Sequence, residues 1–279
     1  MKKILAGLLV PVFLFFFLPV SAQQHQLVKL WETDSVLKVP ESVLFDQKND
    51  ILYVTNIDGA DPWGKDGKGS VGKISADGKV IAAEWVTGFN APKGMGLYKD
   101  NLYVADLDEL VVINTKSGQI DSRIVVPGAQ GLNDVSIGED GFIYVSDSKN
   151  KKLFRVFAGK TELYLDSLKG PNGVLVKGDE LYLLDAGSMY RVNKDRSLTL
   201  VTGGMEGGTD GIENISGNAF VVSCWAGVLW YVNGDGTKEV LKDTRAQKGN
   251  TADIGLNAKK KIIYVPTFWN NTVIAYQVK

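Results

Sequence analysis

The hexapeptide "ILYVTN" at 51–56 decides the fold, because the chain repeats it. Related stretches are "NLYVAD" at 101, "FIYVSD" at 142, "LYLLDA" at 181, "AFVVSC" at 219 and "IIYVPT" at 262. Each is short, rich in aliphatic and aromatic residues, and bounded by Gly, Asn or Asp, the composition of a β-strand between turns. Their aromatic positions are Tyr53, Tyr103, Tyr144, Tyr182, Phe220 and Tyr264. These lie about 38 to 50 residues apart, close to the length of one four-stranded propeller blade. Long helical periodicity is absent. Six copies therefore predict an all-β, six-bladed β-propeller with four-stranded blades.

The last copy has room for three strands, at about 252–257, 261–267 and 272–278. "HQLVKLWETD" at 25–34 reads as a lone strand ahead of the first copy. It is expected to be the outer strand of the last blade, closing the ring and removing an exposed edge.

The first residues read differently. Lys2 and Lys3 precede the apolar run "ILAGLLVPVFLFFFLPV" at 4–20, and "VSA" at 20–22 offers small residues for cleavage. This predicts a signal peptide over 1–22 and one propeller domain over 23–279, periplasmic or secreted. No membrane contact is expected once the peptide is removed. With 31 basic and 32 acidic side chains, the balance gives no signal for nucleic acid. The single cysteine, Cys224, cannot form an internal disulfide, and its strand "FVVSCW" predicts buried packing. The single histidine, His25, falls in a terminus expected to be loose, so Ser-His-Asp and Cys-His chemistry is not expected.

About ten residues before each aromatic lies an opening segment: "VPESVLF", "APKGMGL", "GLNDVSI", "GPNGVLV", "GTDGIEN" and "TADIGLN". Each opens the innermost strand of a blade, so the six should converge on one mouth of the channel. That brings together Glu41, Asn133, Asn172, Asp210 and Asp253. Taken singly, these residues are ordinary turn formers. Taken together, carboxylate and amide oxygens around one axis suit a hard cation such as Ca²⁺, Mg²⁺ or Mn²⁺. The loop after each repeated strand lies on the same face. The longest, "IDGADPWGKDGKGS" at 57–70, and those carrying Trp225 and Trp269 would wall a small-molecule pocket.

These ordered motifs resemble the senescence marker protein (regucalcin) and gluconolactonase family along the whole mature chain. The matched positions are Glu41, the pair Asn133 and Asp134, the pair Asn172 and Gly173, and the pair Asp210 and Gly211. The resemblance implies one divalent metal bound by Glu41, Asn172 and Asp210, with Asn133 contacting substrate or nearby water. A monomer acting on a small molecule is expected, with Ca²⁺ the first choice of ion and Zn²⁺, Mg²⁺ or Mn²⁺ the others. Two departures stand out. Members acting on sugar lactones often carry an Arg two residues before the Asn, where this chain has Gly131, and the acidic residues that bind sugar hydroxyls are not recognisable in "SDSKNKK" at 146–152. The expected activity is metal-dependent hydrolysis of a lactone or related ester, with Asp210 as ligand and general base and Asn133 as orienting group. The alternative is a non-catalytic propeller that binds a small molecule or a protein on the same face.

Overall fold

The computed structural model describes residues 24–279. The expected signal peptide lies outside the described residues. The chain forms six four-stranded antiparallel sheets arranged as a six-bladed propeller. Among the described residues no helix is long and apolar enough to cross a membrane.

The inner strands of blades one to five are Pro40–Asp46, Pro92–Tyr98, Leu132–Ile137, Pro171–Lys177 and Thr209–Ser216. The repeated hexapeptides form the second strands. Their apolar side chains alternate across the sheet and pack into the interfaces between neighbouring blades. Tyr53 meets Phe89 and Val104 between blades one and two, Tyr182 meets Phe220 and Val222 between four and five, and Val54 meets Tyr264 and Ala275 between six and one. Cys224 is free and fully buried in the blade four–five interface, as expected.

The acidic residue that ends the second strand of blades two, three and four has a structural task. The Asp106 carboxylate accepts backbone N–H bonds from Asn90 and Ala91, Asp147 from Gln130 and Gly131, and Asp185 from Lys169 and Gly170. Each ties down the loop that leads into its own blade's inner strand, where backbone donors would otherwise lack partners.

The ring closes as the sequence predicts. Leu27–Glu32 pairs antiparallel with Val273–Val278 as the outer strand of blade six. Two expectations are corrected here. The inner strand of blade six spans only Gly255–Asn257, because residues 252–254 turn aside to its neighbour. The Asp253 N–H donates to the Glu41 carbonyl at 2.9 Å, and the Val43 N–H donates to the Asp253 carbonyl at 3.2 Å. His25 is not in a loose terminus. Its ring stacks on Tyr231 at 3.8 Å between centroids, and its Nδ1 meets the Glu239 carboxylate.

Candidate functional site

The site residues share one register. Glu41, Lys93, Asn133, Asn172 and Asp210 are each the second residue of an inner strand. At that point the ladder slips in every one of the five blades. In blade three, Leu132 pairs with Asp147 and Val135 with Val145, so Asn133 and Asp134 share the space opposite Ser146. This is a β-bulge, which bends the strand and re-aims a side chain. The N–H freed by the slip is capped by a second-strand hydroxyl in three blades. Ser42 donates to Thr55 Oγ1, Asp134 to Ser146 Oγ and Gly211 to Ser223 Oγ. The Thr and Ser of "YVTN", "YVSD" and "VVSC" thereby support the site.

The glycine after several site residues serves close packing rather than a turn. A Cβ on Gly173 would overlap the Asp210 carbonyl oxygen, and one on Gly94 would lie 2.6 Å from the Asp134 Cα. Adjacent inner strands can approach only because these side chains are missing.

Glu41, Lys93, Asn133, Asn172 and Asp210 line one cavity of about 270 Å³ at the channel mouth. Pro62 and Trp63 from the 57–70 loop, Trp225 and Phe268 complete its wall. Trp269, expected on this wall, instead packs edge-on against Phe268, 4.8 Å between centroids, and stays 46 % exposed. A small apolar cluster of Ile57, Ala91, Leu107, Ala252 and Phe268 supports the loops.

Asp253 does not join the cavity. The blade-six residue in register with Glu41 and Asp210 is Ala252, and Asp253 follows one position later, in register with Asp134. One residue along a strand reverses the facing of a side chain. Asp134 and Asp253 line a separate channel cavity with Glu213. Asp134 accepts N–H bonds from Val135 and Val174, and Asp253 accepts the Ser42 hydroxyl at 2.5 Å.

Burial governs the electrostatics. It pushes the Glu41 carboxyl up to about 7, Asp134 up to about 7, and Glu213 up to about 8. Asp210 and Asp253 are raised well above the usual carboxylate range by burial and then by the other carboxylates nearby. Burial lowers Lys93, against the pull of Glu41 and Asp210. Sequence reasoning passed over this lysine. Lysine alone carries no signal there, but its register position matches the other four site residues.

Whether a cation suits the cavity can be tested on its oxygens. Glu41 Oε2, Asn172 Oδ1 and Asp210 Oδ1 are buried and have no hydrogen-bond partner. Buried polar atoms are rarely left without partners, and here three such oxygens line one cavity. Among the described residues no group of three or more His, Cys, Asp or Glu side chains is placed to hold a metal ion. A cation here would need the Asn172 amide oxygen as its third protein donor, and a set of two carboxylates and one amide suits a hard ion.

No protein-family model and no curated protein matches the chain. Solved structures do. A gluconolactonase from Xanthomonas campestris superposes with a TM-score of 0.72 at 14% identity, covering 91% of this chain and 89% of that one. A protein assigned provisionally as a gluconolactonase gives 0.69 at 15%, covering 92% and 93%. Virginiamycin B lyase from Staphylococcus aureus gives 0.62 at 12%, covering 91% and 99%. At such identities the likeness is one of fold, and the fold serves more than one reaction. In fold, the chain is a six-bladed propeller like those of the senescence marker protein and gluconolactonase family.

Proposed function

We propose that the protein is an exported, metal-dependent hydrolase of a lactone or related ester. The observation that carries this reading is the set of unpartnered buried oxygens of Glu41, Asn172 and Asp210 in one cavity. These residues would hold the ion, with Ca²⁺ favoured by an all-oxygen donor set. When bound, it would supply Lewis-acid polarisation of the substrate carbonyl.

The chain's own residues do the rest. Asp210 takes the proton of the attacking water, being a carboxylate that borders the cavity. The Asn133 side chain is held by one N–H bond to Ser148 Oγ at 3.0 Å, and Ser148 in turn donates to the Pro171 carbonyl at 2.7 Å. That anchorage leaves the second Asn133 N–H to orient the substrate's acyl oxygen. Trp63, Trp225 and Phe268 exclude water from the reacting group.

The test is turnover of sugar and aliphatic lactones with Ca²⁺, Zn²⁺, Mg²⁺ or Mn²⁺ supplied in turn. The reading expects hydrolysis that a chelator abolishes and that Asp210→Asn removes without unfolding the protein. Metal-loaded, well-folded protein that turns over none of them would leave only a binding propeller.

A further inference from the structure

Two lysines lie near the ring of Trp63, which lines the cavity. The Lys93 Nζ lies 4.6 Å from the Trp63 ring centroid, and the Lys149 Nζ lies 5.0 Å from it. Lys93 is only 2% exposed. A buried ammonium needs strong partners, and a carboxylate is the usual one. Lys93 instead donates to a neutral oxygen, the Pro62 carbonyl, at 2.7 Å. An ammonium carries three N–H donors. That carbonyl takes one and the Trp63 face accepts only diffuse positive charge. Donor capacity remains, and Lys93 borders the cavity.

Lys149 lies outside the core, and its stem is placed by a missing side chain. A Cβ on Gly131 would lie 2.6 Å from Lys149 Cγ and 2.8 Å from its Cβ. Any larger residue at 131 would displace the lysine. Gly131 is thus the reason that a second ammonium reaches Trp63, two residues from Asn133.

We propose that Lys93 and Lys149, bridged by Trp63, form a carboxylate-binding subsite, so that the preferred ligand carries a free carboxylate besides the group presented to Asn133 and Asp210. The placement of the reacting group rests on the hydrolase reading, while the subsite itself rests on the lysines. The cavity of about 270 Å³ falls just below the usual range for drug-sized ligands, so the ligand is small.

A non-hydrolysable pair tests this: 3-oxocyclopentane-1-carboxylate and its neutral carboxamide, titrated calorimetrically into the Ca²⁺-supplemented mature protein. The carboxylate should bind at least about tenfold tighter, with the preference shrinking as salt rises. Lys149→Gln should cut the ratio to about threefold or less and leave the carboxamide's affinity unchanged. Lys93→Gln, if it folds by circular dichroism, should abolish the preference; if it does not, the Lys149→Gln ratio decides. Equal binding of the two ligands by the wild type would overturn the proposal. So would a preference that Lys149→Gln leaves intact, which would mean that an ion or another group reads the carboxylate. A lysine-dependent preference in protein without lactone turnover would uphold the subsite and remove the hydrolase reading. Turnover of neutral lactones without any preference would do the reverse.

Discussion

Replacing Glu41 with glutamine should stabilise the metal-free protein while destroying its response to metal. The side chain is 4% exposed, and its Oε2 has no partner. Burial lifts the carboxyl from an ordinary 4.5 to about 7, against the lowering effect of Lys93. Every tenfold change in proton affinity between the unfolded and folded states corresponds to about 1.4 kcal/mol. The ionised group therefore costs the metal-free fold about 3 kcal/mol at pH 8. Glutamine keeps the shape without the charge, and its own imperfectly bonded amide returns about 1 kcal/mol of that gain. The net stabilisation is about 2 kcal/mol, or roughly 4–8 °C in melting temperature for a chain of this size. The sign follows from the raised value. A carboxyl lifted on folding leaves the folded state holding more protons than the unfolded one between about 4.5 and 7, so stability falls as pH rises through that window. Glu41→Gln should show its full gain above pH 7 and none below pH 4.5. Thermal melts by circular dichroism, in chelator at pH 4.5 and pH 8, read this directly. Added Ca²⁺ at a hundredfold excess over its dissociation constant should stabilise the wild type by about 2.7 kcal/mol, and the variant far less. A variant that is less stable than the wild type at pH 8 in chelator would refute the reasoning, because it would mean that the carboxylate already has a partner.

Deleting residues 24–34 removes the outer strand of blade six and exposes the edge of Val273–Val278. Melting should fall by about 10 °C or more, and an unchanged melting temperature would contradict closure by this strand. Gly173→Ala should cost about 3 kcal/mol, because the new Cβ would overlap the Asp210 carbonyl oxygen and the Leu184 side chain; urea denaturation that detects no loss would show that the strands need not approach so closely. Trp225→Ala should raise KM for any hydrolysed lactone several-fold, since Trp225 walls the cavity that would receive the substrate. A loss confined to kcat would remove that role.

The blade repeat was legible because propeller strands are short and each second strand packs an aromatic against a neighbouring blade. Ring closure was legible because the last repeat lacked a strand and the first segment had one to spare. The grouping of Glu41, Asn133, Asn172 and Asp210 in one cavity was legible through their common place in the repeat, each standing second in an inner strand. What escaped was the fine register. Asp253 belongs one residue later than Glu41 and Asp210, and a slip of one residue is decided by which neighbour its backbone bonds. Gly173 leaves room for the next blade, a task that only the packed ring reveals. Lys93 sat in the aligned series, but its burial depends on the 57–70 loop folding over it to offer the Pro62 carbonyl and Trp63. Gly131 looked like a missing functional residue, while the space above it is filled by the Lys149 stem.

The most direct measurement is a crystal structure of the mature protein grown with Ca²⁺. An ion is predicted in the cavity at the channel mouth, with Glu41, Asn172 and Asp210 oxygens at about 2.3–2.6 Å. A cavity without an ion, in protein whose Glu41 or Asp210 carboxylate is instead paired with the Lys93 ammonium, would contradict it.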